Sequence, residues 1–494
     1  MGLTLRNLFL GLLLLAPVSI ASDGSVDAQQ IRTATFETLA GQAGRAEAWY
    51  QLALPKGQTQ ADAPAARLTS ASDLVNRFGA TGTRAGPVVA ISEGLTRTVF
   101  LPLVQYSEPL MVERRAIWIT RYDWTTLMGA PVPEDVDRMV AQIAGAGFNT
   151  IFFQVRAAGD AYYTPGVEPW ADRLTAGAPG DTLGRDPGWD PLARIIAQGH
   201  AAGLEVHAYV NVYTAWLSPP SDAYGALWPP ATVPPQMFDR FTYGPGYVAH
   251  PGVYGLGYGW RQYDESGQWM PLSWGSYLWA SPGLDQVQAH VKAVIMDIVG
   301  RYPVDGVHLD LVRYAGPAYS YDPASNTAAG PVKTLDRDQW QRDRITALVR
   351  DVREGVQGLR ADGLLVSAAV WPYTTDKWGW DVSEGYSDFY QDARGWLATG
   401  AVDALVPMLY GGKADEMWRW EMLMADFLAE ADGRAVYPGI GSHYEDFAAI
   451  AARIDAARAA GAPGHAIFSY SGLANHDAWE ALASGPYSSP AALP

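Results

Sequence analysis

The sequence of 494 residues contains no cysteine, which excludes disulfides, a cysteine-anchored lipid and thiolate metal sites. Positive charge is scarce: 35 Lys and Arg stand against 52 Asp and Glu, a formal net charge of -17. A nucleic acid partner needs basic patches to neutralise phosphate, and so does an anionic membrane surface, so neither is expected. Long apolar runs are also missing. Leu8 to Leu15 is too short to cross a bilayer and no second run follows, which argues against stable membrane insertion. There is no His-Glu-x-x-His pair and no glycine-rich phosphate loop, so no metal and no cofactor are expected, and no Gly-x-Ser-x-Gly elbow, which removes the common serine hydrolase signal.

What is present begins with an export signal. Arg6 supplies a positive start, Leu8 to Leu15 the apolar stretch, and Ser19-Ile20-Ala21 the small residues of a cleavage site. Residues 1–21 therefore read as a signal peptide, and the mature chain is expected to be a monomer in a periplasm or outside the cell. Residues 22–112 read as a separate small region. It holds an Ala-rich stretch, a polar linker and β-like segments at Pro87 to Ile91 and Thr96 to Val104.

Residues 113–485 alternate short apolar runs with helices of 3.6-residue period. The runs are Ala116 to Thr120, Thr150 to Val155, Leu204 to Val212, Val304 to Leu311, Leu364 to Val370, Ala404 to Tyr410, Ala435 to Ile440 and Ala466 to Tyr470. Eight βα units predict an α/β fold, a (β/α)8 TIM barrel. The connections from strand to helix are long, and active sites in such barrels lie at that end of the strands. The longest, roughly Tyr213 to Pro282, carries Trp216, Trp228, Tyr243, Tyr247, Trp260, Trp269, Trp274 and Trp279. These rings either wall a sugar-binding cleft or pack on one another as a lid.

Alternation along the strands nominates the inward side chains. On the fourth strand His308 and Asp310 face the interior, with Asp310 at the catalytic end and Arg313 near enough in sequence to hold it ionised. A carboxylate in a barrel mouth is costly unless it is paired or used. Gln154 and Arg156 share the inward face of the second strand, and the loop after it offers Asp160 and Glu168 as a second carboxylate. Glu168 stands two residues before Trp170, whose indole would desolvate it and raise its pKa, as a general acid requires. His207, Tyr209 and Asn211 on the third strand, Tyr314, Trp371 and Tyr410 complete the candidate substrate-binding set.

Several blocks carry a resemblance: Gly147 to Arg156, Gly159 to Tyr163, Glu168-Pro169-Trp170, Trp189 to Leu192, Gly203 to Tyr209, and Asp305 to Asp310 followed by Arg313-Tyr314. From Arg115 to about Tyr470 the chain resembles the glycosyl hydrolase-like 10 family, whose members include exported bacterial proteins acting on peptidoglycan glycan strands. The resemblance implies a glycoside hydrolase barrel with Glu168 and Asp310 as its carboxylates and a cell-wall polysaccharide as substrate. Two departures stand out. Many relatives have paired aspartates where this chain reads Asp310-Leu311, and Trp371-Pro372-Tyr373-Thr374 replaces the usual Ser-Pro-Phe-Gly. The missing second aspartate motivates an alternative, a non-catalytic glycan-binding protein on an inactive barrel.

Overall fold

A computed structural model describes residues 47–48, 84–86, 103–105 and 111–494, except 128, 179, 225–227, 239–259, 322–323, 325–333, 361–362, 412–415 and 444–446. The proposed signal peptide lies outside the described residues, as do Tyr243 and Tyr247. The chain divides into two compact units, Met1–Leu110 and Met111–Pro494. In the first, Glu47–Ala48, Arg84–Gly86 and Leu103–Gln105 form an antiparallel sheet with the last strand central.

The second unit is the barrel. Its strands are β1 (Arg114–Ile119), β2 (Thr150–Arg156), β3 (Glu205–Asn211), β4 (Gly306–Asp310), β5 (Leu365–Val370), β6 (Ala404–Pro407), β7 in two pieces (Ala435–Val436 and Gly439–Gly441) and β8 (Gly464–Phe468). All pair in parallel, each with its sequence neighbours, and β8 returns to β1. The break in β7 is bridged by backbone bonds: Tyr437 N–H donates to Leu405 O (2.9 Å) and Ala466 N–H to Pro438 O (3.1 Å). The ring of eight strands is therefore closed.

Eight main helices cover it: α1 (Pro133–Ala146), α2 (Pro191–Ala201), α3 (Asp285–Arg301), α4 (Leu335–Leu359), α5 (Ala393–Thr399), α6 (Met417–Ala429), α7 (Phe447–Ala459) and α8 (Trp479–Ser484). Local chemistry sets their ends. Pro191 starts α2 where a missing N–H costs nothing, and the Asp190 carboxylate caps Ala193 N. Helix α1 stops at Gly147, whose φ of 93° is left-handed and favours glycine. The apolar stripes face the strands: Val136, Met139, Val140 and Ile143 of α1 are buried, as are Ile345, Leu348, Val349, Val352 and Val356 of α4. Truncating one such residue, Ile143→Ala for example, costs about 2–5 kcal/mol.

The barrel interior is filled rather than hollow. Ala116, Trp118, Phe152, Tyr209, Ala404, Val406, Tyr437 and Ala466 form a cluster separate from the shell between strands and helices. Only the strand ends facing the long loops are left for chemistry.

Candidate active site

Asp310 ends β4 at the mouth and is half-buried. Its Oδ2 accepts from the Tyr209 hydroxyl (2.7 Å) and its Oδ1 from the N–H of Leu311 (2.6 Å). Leu311 takes a left-handed φ of 49°, a conformation that costs a leucine roughly 1–2 kcal/mol and recurs beside functional groups. Desolvation raises the Asp310 pKa above the ordinary carboxylate value, against the pull of Tyr209, the Leu311 amide and the more remote Arg313 charge.

Arg313 does not pair with Asp310. Its Nη1 donates to the carbonyls of Tyr314 (2.9 Å) and Ala315 (3.3 Å), and its guanidinium lies over Trp279, Trp371 and Phe389 at 5.0, 5.3 and 4.6 Å from their ring centres. Burial pulls its pKa down to about 10. Trp371 is partly exposed beside it and Tyr410 is partly exposed across the mouth, stacked on Phe468 at 4.9 Å. Asp310, Tyr209, Arg313, Trp371 and Tyr410 thus belong to one open end.

Glu168 does not join them. The expected general acid is 0% exposed and sealed by Arg156 and His290. Arg156 Nε and Nη2 each donate to one of its oxygens at 2.8 Å, and His290 Nε2 on α3 lies 2.9 Å from Oε1. Burial alone would raise its pKa, but Arg156 and His290 together outweigh it and hold Glu168 at about 2. An acid that strong, with no open surface, cannot deliver a proton near neutrality. The predicted raised pKa is overturned because the desolvation that would raise it is outweighed by Arg156 and His290.

Four other expected binding residues are also taken up by the protein. Arg156 is fully buried, and its Nη1 donates to the carbonyls of Asn211, Val212 (3.3 Å) and Thr214 (3.0 Å). The β2–β3 register shifts between Gln154 and Arg156, and counting alternate residues fails past such a bulge. Asn211 is spent on Gln154 Nε2 (3.1 Å) and the Ala157 carbonyl (3.1 Å). His207 and His308 do point inward but lie in the filled core. His308 Nε2 accepts from Trp118 Nε1 (3.0 Å), its Nδ1 meets Ser367 Oγ (2.9 Å), and its ring stacks on Phe152 at 4.2 Å. Burial keeps His308 well below its usual pKa, hence neutral. His207 meets Glu205 at 2.9 Å. Tyr314, a fifth, is 0% exposed and packs edge-on against Tyr390. Among the described residues no group of three or more His, Asp or Glu is arranged to hold a metal.

A sequence profile of the glycosyl hydrolase-like 10 family matches residues 113–221 and 259–423, more than half of the chain. The chain belongs to this family. Among curated relatives it is similar to glycosyl hydrolase YngK of Bacillus subtilis, 25% identical over 350 residues, or 67% of this chain and 60% of that protein. It is similar also to glycosyl hydrolase DigH of Escherichia coli, 24% identical over 341 residues, or 65% of this chain and 69% of the other. The chain thus spans less than two thirds of YngK. Among solved structures, the glycoside hydrolase domain of PgaB (BpsB) from Bordetella bronchiseptica superposes with a TM-score of 0.51 at 14% identity, covering 76% of this chain and 98% of that one, a likeness of fold.

In this glycosyl hydrolase-like 10 chain the rings of the long loop after β3 serve mostly the loop itself. Trp216, Trp260 and Trp279 are buried, Trp269 is partly exposed, and Trp228 and Trp274 are each 41% exposed. A further aromatic cluster lies between the loop after β5 and the start of α6. Trp378 and Trp380 stack at 4.7 Å, and Trp418, 54% exposed, meets Trp380 edge-on at 5.7 Å. The spacing Trp371, Trp378, Trp380 in one strand-to-helix loop was the available signal. Asp160 and its neighbours, including Arg121 after β1, line a separate cleft. Burial pushes Asp160 up to about 6.

Proposed function

We propose that this protein is an exported glycan hydrolase that cleaves an O-glycosidic bond in a cell-wall polysaccharide, with peptidoglycan glycan strands as the substrate class and Asp310 as its catalytic carboxylate. The observation that carries the reading is the placement of Asp310: half-open at the mouth of a closed barrel, held by a neutral hydroxyl and an amide, and lifted in pKa by desolvation. Such a carboxyl retains a proton nearer to neutrality than a solvated one and can pass it to a leaving glycosidic oxygen. Once ionised, it stabilises the positive charge that develops on the sugar ring, and water adding to the anomeric carbon returns a proton to it. Tyr209 positions it, and Tyr410 and Trp371 border the space a sugar would occupy. Membership of the glycosyl hydrolase-like 10 family supports the reaction class. The N-terminal pattern of Arg6, Leu8 to Leu15 and Ser19-Ile20-Ala21 supports export.

The test is incubation with purified peptidoglycan, with and without its stem peptides, followed by reducing-end assay and mass analysis of the released sugars. New reducing ends from the parent protein and none from Asp310→Asn are expected. Equal release by the two would remove Asp310 from the mechanism. A second reading, glycan binding without cleavage, draws on the sealing of Glu168, which leaves Asp310 without that second carboxylate. It predicts retention on the same strands with no new ends.

A further inference from the structure

Two guanidiniums lie buried toward the open end of the barrel, and the fold treats them differently. Arg156 turns the edge that carries Nε and Nη2 toward Glu168, and each nitrogen donates to one carboxylate oxygen at 2.8 Å. Arg313 is 9% exposed, and the same edge of its guanidinium finds no acceptor among the described residues. Its Nε is sealed without a partner, whereas Nη2 is not sealed. Only Nη1 is bonded, to two carbonyls of its own loop. The charge that acts on Arg313 is that of Asp310, which shares the mouth without touching it.

A cation taken out of water is costly unless a counter-charge meets it. The ring faces of Trp279, Trp371 and Phe389 offset part of that cost. Trp279 comes from the connection after β3, and Trp371 and Phe389 come from the one after β5. Three loops therefore hold this guanidinium beside the end of β4. They do so in a chain where 52 acidic side chains outnumber 35 basic ones, yet none is placed against it. An unpaired N–H there is chemistry for an anion that arrives with the ligand. Carboxylate suits it, being planar and a strong acceptor for a guanidinium, with the partly exposed Trp371 beside it. A single negative charge fits better than a doubly charged phosphate, because the Asp310 carboxyl lies in the same mouth.

We propose that Arg313, through Nη2, anchors a carboxylate borne by the sugar in the barrel mouth, so that the protein selects acidic glycans over neutral ones. The assignment rests on the glycan hydrolase reading, which the test separates from it.

Calorimetric titration of the full chain carrying Asp310→Asn reads binding without turnover. The probes are peptide-free peptidoglycan oligomers, whose carboxylate sits on a side arm, and oligogalacturonates, whose carboxylate sits on the ring. Each is compared with its methyl ester, and chitin oligomers of equal length serve as the neutral reference. In at least one series the acid should bind about tenfold to hundredfold tighter than its ester, and the tighter series names the source of the carboxylate. Adding Arg313→Gln should erase that margin, and Arg313→Lys should keep part of it. The comparison of acid with ester needs no change at Arg313, so it stands even where Arg313→Gln fails to fold. Equal binding of acid and ester in both series, an acid preference that survives Arg313→Gln, or no binding of any probe would overturn the anchor. Reducing ends released by the parent protein are counted separately. Acid preference without such release sinks the hydrolase reading and keeps the anchor, and release without acid preference does the reverse.

Discussion

The loop after β2 and the end of β4 each bring a carboxylate toward the barrel mouth, and the two meet opposite surroundings. Glu168 receives a two-pronged guanidinium and an imidazole and loses all contact with solvent. Asp310 receives one phenol and one amide and stays half-open. Both are desolvated, which by itself raises a carboxyl pKa. The Arg156 guanidinium and the His290 ring reverse the shift at Glu168, and the phenol and amide do not at Asp310. The charge of the partner, more than depth of burial, therefore separates a structural strut from a group able to exchange protons.

Removing each acid tests that contrast most strongly. Asp310→Asn should lower kcat by about 10²–10⁴ while the melting temperature holds or rises, because a desolvated charge is lost. Reducing-end release and thermal denaturation on one preparation read both. Glu168→Gln should do the reverse, costing about 3–5 kcal/mol in urea unfolding because Arg156 is left buried without its counter-charge. Lost turnover in a Glu168→Gln protein of full stability would break the contrast.

Acid titration sharpens it further. Glu168 is held at about 2 from an ordinary 4.5, so its contribution is present above the unfolded value and disappears as pH falls from 4.5 toward 2. That shift corresponds to at most about 3 kcal/mol, and Glu168→Gln should flatten this part of the stability curve. Asp310 has the opposite sign: its raised pKa makes stability decline as pH climbs through the unfolded carboxyl value, and Asp310→Asn should remove that decline. The smallest effect is expected from Tyr209→Phe. Loss of a bond that lowers the Asp310 pKa should move the alkaline limb of the rate profile to higher pH, with kcat down about threefold to tenfold.

The barrel was legible because its signal is local and repeated. The predicted run Thr150 to Val155 became β2, and Val304 to Leu311 contains β4. Inward parity placed Tyr209 and Asp310 together correctly. What escaped was long-range. Nothing near Glu168 announces His290, 122 positions later, and the bulge in β2 broke the parity that had assigned Arg156 to the substrate. His207 and His308 illustrate another limit: alternation tells which way a side chain points but not how deep the filled layers reach. Tryptophans are equally ambiguous, since the same ring serves as loop core at Trp216 and as exposed surface at Trp418.

The interruption of β7 makes the barrel wall uneven. Two residue pairs join β6 to β7 and three join β7 to β8, against five between β3 and β4. A cylinder held by ladders of unequal length yields first along its shortest ones, so amide hydrogens of Val436 and Tyr437 should exchange with solvent sooner than those of Val307 or Leu309. Asp310 sits on the well-stitched side, where the scaffold is stiffest and a catalytic group is best kept from wandering.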